Sequence, residues 1–194
     1  MGARSEGFAY DNERPRHAVT LPAFAIAGLP LPNAAWTRFC EQGGYERRQW
    51  WSEDGWRWLR SHPASERSQP PVSARRADPD AAVCHVSWFE ADALARANEA
   101  RLPTEAEWEK AHAQGVLDGA GRVWEWTGSE FSGYPGFRAH PYREYSEVFF
   151  DRGYRVLRGR SWATHERVGT PTFRNWDLPE RRQIFAGVRL ARDL

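Results

Sequence analysis

Three stretches of the chain carry apolar residues at helical spacing, each behind a residue type that caps helices. Asn33 precedes AAWTRFCEQ, in which Trp36, Phe39 and Cys40 recur on one face, and Gly43-Gly44 ends the run. Ser87 and Glu90 form an S-x-x-E capping box opening WFEADALARANEA, with Trp88, Ala91, Leu94 and Ala95 on one stripe. Thr104 and Glu107 repeat the device as T-x-x-E ahead of EAEWEKAHA, and Gly115 suits the position just past the helix end. Strict alternation is rarer. VTLPAFAI (19–26) reads as a strand that Pro22 confines to a sheet edge, and residues 155–162 and 185–190 are further short strand candidates. Residues 60–82, rich in Ser, Pro and charge, read as a mobile surface loop, and 127–154 reads as turns and aromatics with little regular structure.

This pattern predicts a coil-rich α+β domain occupying residues 1–194, with few short helices and strands. The chain has 11 Trp and 14% aromatic residues, so its low mean hydropathy of −0.76 does not mean disorder. Such a domain must be held by aromatic packing and by side chains that bond to backbone. Twenty-seven basic against 26 acidic residues leave a formal charge of +1, without the basic excess of a nucleic-acid binder. No stretch approaches the ~20 apolar residues of a membrane helix, and no apolar leader opens the chain. The expected location is the cytoplasm, with neither nucleic acid nor membrane as partner.

The residue types that carry chemistry are sparse. Cys40 and Cys84 lack zinc-site spacing and read as small buried hydrophobes. The six histidines, His17, His62, His85, His112, His140 and His165, contain no H-x-x-x-H pair, and no metal triad is expected within this chain. Phosphate-cradling, dinucleotide and nucleophile-elbow motifs do not occur. Glu105, Glu107 and Glu109 suit the positive end of a helix dipole without catalytic meaning. Tyr142 and Tyr145 lie three residues apart in HPYREYSEVFF, and Asn175, Trp176 and Asp177 are adjacent in FRNWD. Ring faces beside an amide and a carboxylate suit a quaternary ammonium and the polar end of an amino acid, although each residue alone reads as packing.

RLPTEAEWE (101–109), HVSWFEA (85–91), GRVWEWT (121–127), VLRGRSW (156–162) and FAGVRLA (185–191) together resemble the formylglycine-generating-enzyme, or sulfatase-modifying-factor, superfamily. The resemblance covers nearly the whole chain and implies a coil-rich fold related to C-type lectins. FAYDNERPRH (8–17), YPGFRAHPYREYSEVFF (134–150) and FRNWDLPERRQIFAG (173–187) are similar to the C-terminal domain of EgtB-type ergothioneine synthases. Those nonheme-iron enzymes use dioxygen to join a thiol, γ-glutamylcysteine or cysteine, to hercynine, the Nα-trimethylated histidine. The resemblance implies that Asn175 and Trp176 hold the betaine end of hercynine and that Asp177 helps place the thiol. It makes Tyr142 the catalytic proton donor and Tyr145 a wall of the betaine pocket.

The departures shape the expectation equally. In that family the iron-binding histidines come from a preceding DinB-like helical domain, which these 194 residues do not contain. The chain is therefore expected to be the substrate-binding part, clipped at its amino end and dependent on a DinB-like partner for Fe(II). The alternatives are a non-catalytic binding or scaffold domain and a selenoneine-synthase type forming a C–Se bond. The cysteine pair of copper-dependent formylglycine generators has no counterpart after Cys84, which argues against that activity. The superfamily's G-N-V-W-E-W calcium loop reads GRVWEW, so Arg122 is expected to replace the ion by pairing with Glu125. Arg160 stands where a glycine is customary and calls for a backbone adjustment.

Overall fold

The computed structural model describes residues 1–63 and 78–194, with four helices and two small sheets. The helices are α1 (Asn33–Glu41), α2 (Glu53–Ser61), α3 (Trp88–Ala97) and α4 (Glu105–Ala113). The strands are β1 (Phe24–Ile26), β2 (Trp124–Glu130), β3 (Arg155–Gly159), β4 (Asn175–Asp177), β5 (Ala186–Gly187) and β6 (Ala191–Asp193). The larger sheet has the order β4-β3-β2-β5, antiparallel except for β5 beside β2. In the smaller, β1 pairs antiparallel with β6, Phe24 opposite Asp193. The α+β, coil-rich architecture is the one the sequence predicts.

Both capping boxes form. Ser87 Oγ accepts from the Glu90 N–H (3.2 Å) and the Glu90 carboxylate accepts from the Ser87 N–H (2.9 Å). Thr104 and Glu107 make the same exchange at 3.2 and 2.7 Å. The first helix differs. Pro32 is its cap residue, and Asn33 lies inside the first turn, where its Nδ2 donates to the Asp78 carbonyl (3.0 Å). The Asn33 and Ala34 N–H groups bond to the carbonyls of Ala81 and Pro79. Residues 78–82 are thus tied to the start of α1, and Arg60 and Ser61 belong to α2. Both ends of the expected loop over 60–82 are ordered, while 64–77 of that loop lie outside the described residues. Helix α2 is an addition to the predicted set. Its signals are Ser52, whose hydroxyl accepts from the Gly55 N–H, then Glu53 and Asp54 in the first turn. The predicted strand over 19–26 shortens to three residues because β6 offers only three partners.

The core is aromatic. Trp36, Phe39, Tyr45, Trp51, Leu59 and Leu94 pack with Trp124, Trp126 and Leu157 between the helices and the larger sheet. Indole N–H groups are tied to backbone: Trp51 to Gly44, Trp88 to Thr127 and Trp126 to Val86, at 2.7–2.9 Å. Carboxylates on the helices then reach arginines far along the chain. Glu90 pairs with Arg182, Glu105 with Arg174 and Glu109 with Arg158, while Glu107 takes both arms of Arg101 at 2.7 and 2.8 Å.

Glu107 carries a pH prediction. Burial opposes its charge, but the Arg101 and Thr104 hydrogen bonds outweigh burial and lower its pKa below the ordinary range. A carboxyl whose folded value lies below its unfolded one stabilises the fold above the unfolded value and loses that contribution as pH falls through the folded one. Melting temperature should therefore fall as pH drops below about 4.3. Glu107→Gln should melt lower at pH 7, by about 1–3 kcal/mol of stability, and show a flatter acid slope. An acid slope identical in the two proteins would refute the assignment.

Candidate functional site

Two of the three aromatic residues singled out in the sequence, Tyr145 and Trp176, gather at the outer strand β4. Trp176 stacks on Phe131 with centroids 4.2 Å apart and planes 6° from parallel. It meets the edge of Tyr145 at 6.2 Å and the ring of Phe149 at 5.6 Å. Tyr145 in turn stacks on Tyr10 at 5.1 Å, and Tyr10 meets Phe173 edge-on at 5.4 Å. The result is a continuous run of rings, Phe173, Tyr10, Tyr145 and Trp176, curling around the start of β4. Burial, followed by Tyr10, Asp11 and Glu13, raises the Tyr145 phenol well above its usual value, so it stays neutral through the physiological range.

Asn175 and Asp177 flank Trp176 on the strand, and the two-residue period sends them to the face opposite the indole. β4 is the outer member of its sheet, so the two faces meet at its unpaired edge. Asn175 Oδ1 accepts the Trp176 N–H at 3.0 Å, which leaves its Nδ2 group as the end available to a ligand. Asp177 accepts the Leu178 N–H (2.8 Å) and has Arg181 Nε at 3.7 Å. Burial raises its carboxyl above the ordinary range, opposed by Leu178 and Arg181. Tyr142 stands apart: it is 56% exposed, just ahead of the short 3-10 turn Arg143–Tyr145, and joins no ring contact among the described residues. Tyr10 and Phe173 are additions to the predicted site. FAYDNERPRH carried the signal for Tyr10, but only the fold brings that segment to residue 145.

The calcium-loop expectation is corrected. Glu125 does not pair with Arg122. It is held by Arg189 at 2.6 and 2.8 Å and by the Trp108 N–H at 2.6 Å, with Arg189 and Glu125 both fully buried. An internal guanidinium thus faces the carboxylate, supplied from 64 residues away. Arg160 is accommodated by its neighbours. Gly159 takes the left-handed φ (+82°), and a Cβ on Gly121 or Gly169 would lie within 2.8 Å of the Arg160 side chain.

No group of three or more metal-ligating side chains converges among the described residues. His17 is placed edge-on to Tyr134, His112 stacks on Trp108, and His85 bonds to the Arg182 carbonyl. No helix among the described residues is long and apolar enough to cross a membrane.

A family profile, that of the Sulfatase-modifying factor enzyme 1-like domain, matches residues 1–115 and 110–194. The chain belongs to that family. Within it, the chain is 40% identical to hercynine oxygenase of Mycolicibacterium thermoresistibile over 97% of its own length and 55% of the relative's. The hercynine oxygenase of Mycobacterium tuberculosis is 39% identical, over 100% of this chain and 58% of that one. Formylglycine-generating enzyme of Streptomyces coelicolor is 35% identical over 70% of this chain and 48% of that enzyme. The chain therefore spans little more than half the length of the hercynine oxygenases it matches.

Proposed function

We propose that this chain is the substrate-binding part of an ergothioneine-pathway sulfoxide synthase and that its ligand is hercynine. The observation that carries the reading is the run of rings around β4 beside the Asn175 amide and the Asp177 carboxyl. Ring faces attract a trimethylammonium through the π quadrupole without a negative charge, and Tyr145 is held neutral. In this reading Asn175 Nδ2 donates to the carboxylate of the same ligand, which lies along the strand edge where the two faces meet. Asp177, with Arg181 beside it, addresses the thiol substrate, γ-glutamylcysteine or cysteine. Tyr142, on the exposed loop, is the proton donor of the assembled enzyme. Fe(II) belongs to a DinB-like, histidine-bearing partner or domain, and the residues described here bind and orient.

Calorimetric titration of the folded chain with hercynine tests the reading, alone and with a DinB-like partner. Saturable binding is expected, and absence of heat in both settings would sink it. Asn175→Ala should weaken binding by about 1–3 kcal/mol, because the ligand's carboxylate loses its donor. Unchanged affinity in that variant would remove Asn175 from the site.

A further inference from the structure

The loop that presents Tyr142 and Tyr145 is closed by one carboxylate, 129 residues in sequence from one end of the loop and 135 from the other. Asp11 Oδ2 accepts the His140 N–H at 3.2 Å, and Asp11 Oδ1 accepts the Ser146 hydroxyl at 2.6 Å. The two oxygens therefore tie both ends of residues 140–146. Asn12 Nδ2 donates to the same Ser146 hydroxyl at 3.0 Å, and its backbone carbonyl accepts from Arg174, the residue before β4. Glu13 accepts from the Thr172 hydroxyl, at the other end of the same approach to the strand. Asp11, Asn12, Glu13 and Ser146 are all buried, so water competes little for the two bonds to the Ser146 hydroxyl, while the His140 and Thr172 bonds are part-buried. Immediately before them stands Tyr10, the ring on which Tyr145 stacks.

We infer that Asp11 is a positioning residue, stapling the 140–146 loop so that the Tyr145 ring is held against Tyr10 at the spacing the ammonium site needs. The inference rests on the hercynine reading for its ligand, but the staple itself is read from the geometry. One turn, Asp11–Glu13, registers two separate walls of the site: the tyrosine loop through Asp11 and Asn12, and the β4 approach through Asn12 and Glu13. Without the carboxylate, the loop ends lose their shared acceptor, and the loop keeps only the Asn12 bond to Ser146, the exposed Arg143–Glu147 ion pair and the ring contacts of Tyr145 to set its position. Asparagine at position 11 keeps an acceptor for Ser146 but turns an N–H₂ toward the His140 N–H, so it closes half the staple.

The experiment uses the whole chain labelled with 3-fluorotyrosine, the Tyr145 signal being assigned with Tyr145→Phe. Hercynine affinity is measured beside it. Asp11→Ala should shift the Tyr145 fluorine signal and weaken hercynine binding about tenfold or more, with Asp11→Asn in between. Ser146→Ala, which opens one arm and spares the other, gives the same reading should Asp11→Ala not fold. Arg101→Ala, remote from the loop, serves as a control of comparable melting temperature with binding and signal unchanged. A Tyr145 signal and affinity that track the control overturn the staple. If the wild-type chain does not bind hercynine, the ligand assignment falls, and the fluorine signal alone then upholds or overturns the positioning role.

Discussion

Arg189→Met should lower the stability of the chain by about 3–5 kcal/mol, the cost of leaving a buried charge without its partner. Arg189 and Glu125 are both fully buried and joined by two parallel hydrogen bonds. The guanidinium also donates to the carbonyls of Ala27, Gly28 and Asp118, so three backbone acceptors lose their partner together with the carboxylate. Lysine should not rescue, since a single ammonium cannot reproduce the planar fork. The double variant Glu125→Gln/Arg189→Met should recover a large part of the loss, because the uncompensated charge is gone. Urea unfolding of the four proteins decides it. A single Arg189→Met variant within about 1 kcal/mol of wild type would show the pair to be dispensable.

The same construction recurs and explains how so little regular structure is held in place. Helices α3 and α4 present Glu90, Glu105, Glu107 and Glu109, and each is met by an arginine from outside its own helix. Arg158 and Arg174 are fully buried, and Arg174 also lies over the Tyr134 ring at 4.1 Å. A planar guanidinium satisfies several carbonyls at once, which suits connections that have no ladder of their own. The arginines at 158, 174 and 182 bring the C-terminal half against the helices, Arg189 ties it to Glu125 on β2, and β4 with its Trp176 follows directly from Arg174.

What the sequence reveals follows the range of the interaction. Ser87/Glu90 and Thr104/Glu107 are three residues apart, and the chemistry of the caps is complete within that window, so both helices are legible. Glu125 and Arg189 are 64 residues apart, and Arg122, the nearer cation, is the natural expectation although the fold turns Arg189 inward. Asn33 carries the capping residue type, but a carbonyl at Asp78 takes its amide. The short strand β4 has no periodicity to read, because three residues cannot display one, and β2 goes unread because it starts in GRVWEWT and runs into the stretch expected to lack regular structure. At the site, Tyr145 and Trp176 are legible through family resemblance. Tyr10 and the Asp11 staple are not assigned there, because their roles exist only once residues 10–13 and 140–146 meet.

Trp176→Ala should weaken hercynine binding about 5- to 30-fold, the equivalent of about 1–2 kcal/mol of cation–π attraction in a partly desolvated site. The indole is the largest ring of the run and is braced on Phe131, so its pose does not depend on the ligand. Trp176→Phe keeps a ring face with a weaker quadrupole and should retain part of the affinity. Two controls separate attraction from packing. Histidine, whose amino group lacks the methyl groups, should bind the wild-type chain more weakly than hercynine, and the gap should shrink in Trp176→Ala. Added salt should change the wild-type affinity little, since rings without net charge are not screened as an acid would be. Loss of melting temperature with affinity and selectivity both intact would mean that Trp176 only packs against Phe131, Phe149 and Tyr145. Loss of affinity for hercynine and histidine alike would place the ring against the imidazole instead of the ammonium.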